Sequence, residues 1–241
     1  MKETAILFSA EMMAAIWALQ KTQTRRVINP QPVHDDGTIW SLRVLGPEMY
    51  APAMYDRDGE MYPGPDVFGI YDEYGDWGRV CPYGRPGDLL VPRSTWATLP
   101  DFDHLKPSQL DPAAVADFFW IAGREPKPGW VGKTRPGRFL PKILWHLLPR
   151  LEILRIGAER VQEISEVDAR AEGVGYGFTM NGGWPDYQHI GPNGHCSLTQ
   201  DTAVASLASL WDRINAKRGY PWSLNSWVWV LEFRLIGVSN G

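Results

Sequence analysis

The stretch SAEMMAAIWALQKTQTRR, residues 9–26, decides how this chain is read, because an amphipathic helix runs out just where three cations and two hydroxyls are packed into six residues. Ser9 is a good N-cap, and Glu11 sits in the first turn, where a negative charge suits the helix dipole. Met12, Ile16 and Leu19 recur at i, i+4 and i+7, the spacing of one buried face. Lys21 and Thr24 are three apart: in a continuing helical turn they share a face, whereas in a strand they point to opposite sides. Arg25 and Arg26 add positive charge beside Lys21, which with partial burial lowers the pKa of its amine and makes it a candidate proton acceptor. Such a lysine can activate the Thr24 hydroxyl. The plainer alternative is a solvated cationic patch, which the dipole alone favours at a helix C-terminus.

Around this stretch the composition is that of an ordinary globular chain. The 241 residues are 44% hydrophobic and 22% charged, enough for one large domain with a buried core or one domain carrying insertions. No stretch approaches 18 uncharged apolar residues and the N-terminus lacks a signal-type pattern, so a cytoplasmic location without membrane contact is expected. Cys81 and Cys196 show no C-x-x-C and no zinc-type spacing, which reads as reduced structural thiols. His189 and His195 flank a Gly/Pro/Asn loop, read as solvent-facing rather than metal-binding. Net charge is −4 and the sequence pI about 5.7, so the chain does not project the broad positive field of a non-specific nucleic-acid binder. One local exception is the interval Lys127, Lys133, Arg135, Arg138 and Lys142, interleaved with Trp130 and Phe139. It could pair phosphates and stack bases, or be an ordinary solvated loop.

Organisation along the chain is uneven. Residues 29–85 are rich in Gly, Pro, Tyr and Asp, with an alternating run over 38–45 and a tight turn at Asp58-Gly59, and read as a long excursion with one or two hairpins. A second excursion, 97–137, holds a short helix starting at Asp111 with Pro112 at its first position. Residues 151–156 have strand composition, and Ser165 with Asp168 caps a short helix that stops at Gly173. A third loop covers 175–197. A longer helix is predicted over about 201–217, with Val204, Leu207, Trp211 and Ile214 on one face and Gly219 beyond its end. The last strand, 226–236, sets Trp227, Trp229, Leu231 and Phe233 on one face. Of the 12 tryptophans, those in periodic segments read as core, while Trp40, Trp77, Trp130 and Trp184 are the ones placed to line a pocket. Glu172 is a carboxylate at a helix C-terminus, where the dipole disfavours it.

Four motifs in order carry a resemblance. They are the K-T-x-T-R-R element, a P-G-D turn running into a strand (Pro86, Gly87, Asp88, then Leu89 to Val91), an I-S-E-x-D-A-x-A-E-G segment (Ile164 to Gly173) and a Trp-rich closing strand. Together they resemble the ASCH family of PUA-like barrels, and more closely the ASCH-like proteins of bacteriophages and prophages, which share R-x-T-W after the P-G-D strand (Arg93, Thr95, Trp96) and W-x-W-V-x-x-F-R at the end (Trp227 to Arg234). The match spans about Ile6 to Ile236. The chain departs from the pattern at Leu19, where a glycine is usual, at Pro92, where valine is common, and at Ser94, which replaces a frequent glutamate.

The resemblance implies an α+β fold: a small PUA-like β-barrel with flanking helices and long inserted loops, residues 1–241 forming one domain with insertions at about 29–85, 97–137 and 175–197. It further implies removal of an acyl group from an N(4)-acylated cytosine nucleoside or related modified base. Lys21 would be the proton acceptor, Thr24 the nucleophile and Glu172 the proton donor; Arg25 or Arg26 would stabilise the oxyanion, with Arg93 and Trp96 also holding substrate, and neither metal nor cofactor would take part. Two other classes stay open: a non-catalytic binder of RNA, through the local basic patch, or of modified nucleotides, and a phage accessory protein acting by protein contact in the bacterial host cell.

Overall fold

The computed structural model describes residues 1–32, 44–72, 77–124, 131–175, 182–191 and 196–236. After β1 (Glu3–Leu7) comes α1 (Ala10–Trp17), capped by Ser9, whose Oγ accepts from the Met12 N–H at 3.3 Å. Its buried face is Met12, Met13, Ala15 and Ile16; Leu19 is 69% exposed, contrary to the spacing argument. The reason is that the helix stops at Trp17. Leu19 turns left-handed at φ 58, and the N–H groups of Gln20 and Lys21 both return to the Ala15 carbonyl, at 2.9 and 3.0 Å. The chain then enters β2 (Gln23–Val27), so the Lys21–Arg26 element is a loop and a strand, not a continuing helical turn.

The first excursion holds β3 (Val44–Tyr50), β4 (Ala53–Tyr55), β5 (Met61–Pro63), β6 (Val67–Asp72) and β7 (Gly78–Val80). β3, β6 and β7 form a three-stranded sheet, and β4 pairs with β5 across the turn at Asp58-Gly59. There Asp56 Oδ1 accepts the N–H groups of Asp58 and Glu60, both at 2.9 Å, and Gly59 takes φ 85. Most of the alternating run at 38–45 lies outside the described residues. The strand after the P-G-D turn is β8 (Leu89–Arg93). The second excursion contributes β9 (Trp96–Ala97), α2 (Pro112–Val115), capped by Asp111, and β10 (Trp120–Ile121).

Then follow β11 (Arg150–Arg160), α3 (Glu166–Ala171), the short paired strands β12 (Trp184–Pro185) and β13 (Thr199–Gln200), α4 (Ala203–Asn215) and β14 (Trp227–Ile236). β11 extends four residues beyond the predicted end at Ile156, because Gly157 to Arg160 go on pairing with Val230 to Trp227 of β14, and a register shift between Ile153 and Arg155 leaves Leu154 50% exposed.

The chain is thus α+β. Its main sheet runs β1-β8-β11-β14-β2, with β1 parallel to β8 and the other three pairings antiparallel. Its two edge strands approach each other: Arg26 on β2 donates through Nη2 to the Leu7 carbonyl at the end of β1, at 2.6 Å. β14 is buried on both faces. Trp229, Leu231 and Phe233 join the main core, while Val228 and Val230 pack with Val161 and Trp211 in a second cluster. On α4, Ile214 is 38% exposed rather than buried, and Ser206 and Ser209 take core positions instead. Those hydroxyls are satisfied there: Ser206 donates to the Pro185 carbonyl at 2.6 Å and Ser209 to the Ser206 carbonyl at 2.7 Å.

Candidate functional site

Three local devices bring distant residues to one place. Asp88 fixes the P-G-D turn, Oδ1 accepting from the Lys2 N–H at 2.8 Å and Oδ2 from that of Arg85 at 3.2 Å, which starts β8 alongside β1. Next, the loop before β2 is stitched to two elements, with the Thr22 N–H donating to the Ala171 carbonyl at 2.8 Å and its own carbonyl accepting from Phe233 at 2.9 Å. Finally, Gly173, at φ 86, ends α3 where a Cβ would stand 2.9 Å from the Cβ atoms of both Ala15 and Lys21. Only a residue without a side chain lets Glu172 come this close to Lys21.

The result is a buried ionic cluster. Lys21 Nζ lies 2.7 Å from Glu172 Oε2 and 2.6 Å from the Glu172 carbonyl oxygen, and both side chains are buried. Arg25 Nη1 holds the other carboxylate oxygen at 3.2 Å and also donates to Gln23 Oε1 at 3.2 Å; its Nε and Nη2 both reach Glu159 Oε1 at 2.7 Å. Gln23 in turn donates to Asp168 Oδ1 at 2.9 Å. Burial lowers the Lys21 pKa below its usual value; Glu172 opposes this, and Arg26 and Arg25 add to it. Burial also lowers Arg26, against the pull of Tyr83 and Glu172 and with help from Arg218.

Lys21, Thr24 and Glu172 all line one cavity of about 640 Å³, with Arg25, Arg26 and Arg93. Thr24 and Arg26 alternate along β2 onto the same side, opposite Leu231 and Trp229 of β14. Arg25 is committed to carboxylates, which makes it a support for Glu172 rather than a group free for substrate. Trp96 is not at the cavity. It is fully buried in the core, stacked on Phe119 at 6.0 Å between ring centroids, because β9 pairs with β10 and turns its indole inward. Sequence reading took Gly173 only as a helix stop and missed Glu159, Tyr83 and Arg218, all set around this site by tertiary contacts; Arg218, just past a helix end, carries no signal beyond the dipole preference.

The other candidates lie elsewhere. Within the basic interval, Arg135 is buried under the Trp96 ring and donates to the Phe102 carbonyl at 3.0 Å, whereas Lys133, Arg138 and Lys142 are exposed. Lys127 and Trp130 fall outside the described residues, as do Trp40 and His195. Trp77 and Trp184 pack partly buried against the core, away from the cavity. His189 is half-exposed beside Asp186, at 3.1 Å, and among the described residues no group of three His, Cys, Asp or Glu could hold a metal ion. Cys81 and Cys196 are buried free thiols, and burial pushes Cys81 up to about 11. Among the described residues no helix is long and apolar enough to cross a membrane.

No family model matches the chain, and no curated protein or solved structure matches it either.

Proposed function

We propose that the cavity is a metal-independent amidohydrolase site that removes the acyl group from an N(4)-acylated cytosine nucleoside or a related modified base. The observation that carries this reading is the 2.7 Å contact between Lys21 and Glu172 within a cavity that Thr24 also lines. In the reaction, Thr24 Oγ attacks the acyl carbonyl while Lys21 Nζ accepts its proton. The contact with Glu172 Oε2 passes that proton on, so that the exocyclic amine leaves protonated as the C–N bond breaks. Water then hydrolyses the acyl-threonine ester, releasing the carboxylate and restoring the hydroxyl. Arg25 holds Glu172 in place.

The same reading makes the chain a single ASCH-type domain of phage origin, working in the bacterial cytoplasm, with its main sheet curled into a small PUA-like barrel. The Arg26–Leu7 bond across the sheet's two edge strands supports the barrel. One observation favours the alternative of binding RNA or a modified nucleotide without catalysis: Lys21 already donates to two oxygens of Glu172.

Incubation with N(4)-acetylcytidine, followed by chromatography, separates the two. Cytidine is released, and Thr24→Ala, Lys21→Ala and Glu172→Gln each lower the rate at least ~10²-fold. An inert wild type, or a fully active Thr24→Ala, overturns the hydrolase and leaves the binding reading.

A further inference from the structure

The walls of the cavity contradict the charge of the whole chain. The sequence carries 28 acidic and 24 basic side chains, yet the cavity is lined by Lys21, Arg25, Arg26, Arg93 and Arg218, with Glu172 the sole carboxylate among its described lining residues. That carboxylate is already divided between Lys21 and Arg25. Three guanidinium groups are left over. Arg26, Arg93 and Arg218 make no ion pair with any described residue. Arg26 donates from Nη2 to the Leu7 carbonyl, but its Nε is buried without a hydrogen-bond partner, and so is the Nε of Arg93. Arg218 adds a like charge that disfavours Arg26 further.

Buried donors without acceptors, and like charges gathered without counter-charge, are unfavourable unless a ligand supplies what is missing. The missing partner must be anionic and rich in acceptors. Arg26 comes from β2, Arg93 from the end of β8 and Arg218 from the turn after α4, so the forks reach the cavity from three elements. A phosphate monoester, with up to two charges and three peripheral oxygens, offers one face to each fork, whereas a carboxylate has only two oxygens. The partly exposed rings of Tyr83 and Tyr220 line the same cavity and offer surface to a base, and about 640 Å³ is the size of a site for a small molecule.

We propose that the ligand of this cavity is a nucleoside monophosphate rather than a neutral nucleoside, its phosphate held by Arg26, Arg93 and Arg218. This rests on reading the cavity as the substrate site, but not on the hydrolysis itself. Calorimetric titration of the full chain with cytidine 5′-monophosphate, cytidine and inorganic phosphate tests it, since none of these has an acyl group to lose. Cytidine 5′-monophosphate binds at least ~10-fold more tightly than cytidine, and inorganic phosphate competes with it. Arg218→Gln, at an exposed position, removes most of that preference, and Arg93→Lys, which keeps the charge but loses the fork, reduces it. Thr24→Ala retains it, so an inactive enzyme that still prefers the monophosphate sinks the hydrolase and leaves the ligand assignment standing. Equal affinity for the two ligands, or a preference unchanged in both arginine variants, overturns the proposal. So does tighter binding of a 5′-phosphorylated tetranucleotide than of the mononucleotide, which makes the cavity a strand-end site.

Discussion

Lys21 and Lys142 carry the same ammonium on the same flexible stem, and both sit among other cations in the sequence. Lys21 is buried with Nζ 2.7 Å from Glu172, while Lys142 is exposed, 5.7 Å from the Trp145 ring. Arg25 and Arg138 differ in the same way: one is held by Glu159 and Glu172, the other lies over the exposed Phe139 ring at 4.7 Å. The lesson is that a run of cations acquires chemistry from what is brought opposite it. Residues 21–26 face α3, β11 and the end of β1; of the cations at 133–142, Arg135 alone is drawn inward, to backbone carbonyls.

That contrast can be broken most forcefully at Glu172. Replacing it by alanine leaves Lys21 and Arg25 buried without their shared carboxylate and costs about 3–5 kcal/mol in urea unfolding, whereas Lys142→Ala stays within about 0.5 kcal/mol. Similar losses at both positions erase the distinction. Next in size is Gly173→Ala, which sets a Cβ against Ala15 and Lys21 at a positive φ. It lowers stability by about 1–3 kcal/mol, and unchanged unfolding shows that α3 and the Lys21 loop are not packed as described.

Leu19→Gly acts in the opposite direction. Relief of the left-handed strain at an exposed leucine outweighs the added freedom of the unfolded chain, raising stability by up to about 1 kcal/mol. A loss there places the leucine in packing that its 69% exposure denies.

The subtlest difference is in pH. Because burial holds the Lys21 pKa below its usual 10.5, the unfolded state binds more protons in the window between the folded value and 10.5. Stability therefore rises with pH through that window on account of this group. Lys21→Met removes that contribution from stability measured against pH, and Lys142→Met does not. Equal slopes in wild type and Lys21→Met contradict the buried pair.

The sequence by itself determined the local punctuation of this protein. Ser9, Asp111 and Ser165 cap the helices predicted to start after them, Asp58-Gly59 closes a hairpin, Gly173 stops α3, and the alternating tryptophans of residues 226–236 form a buried strand. The caps, the turn and the helix stop each rest on a hydrogen bond or backbone conformation confined to a few residues, so neighbouring side chains suffice to specify them, while the strand is announced by its alternation. Sequence also put Lys21 and Thr24 forward, from their spacing in a turn, and motif resemblance joined Glu172 to them.

Tertiary structure alone decided what those residues touch. Whether residues 21–26 continue a helix or enter a strand depended on pairing with β14, the burial of Trp96 on β9 pairing with β10, and the commitment of Arg25 on Glu159, which is 134 positions away along the chain. The surplus of guanidinium groups in the cavity is invisible in a chain of net charge −4, because net charge adds all residues while an electrostatic site is made by the few that folding gathers behind a low-dielectric wall.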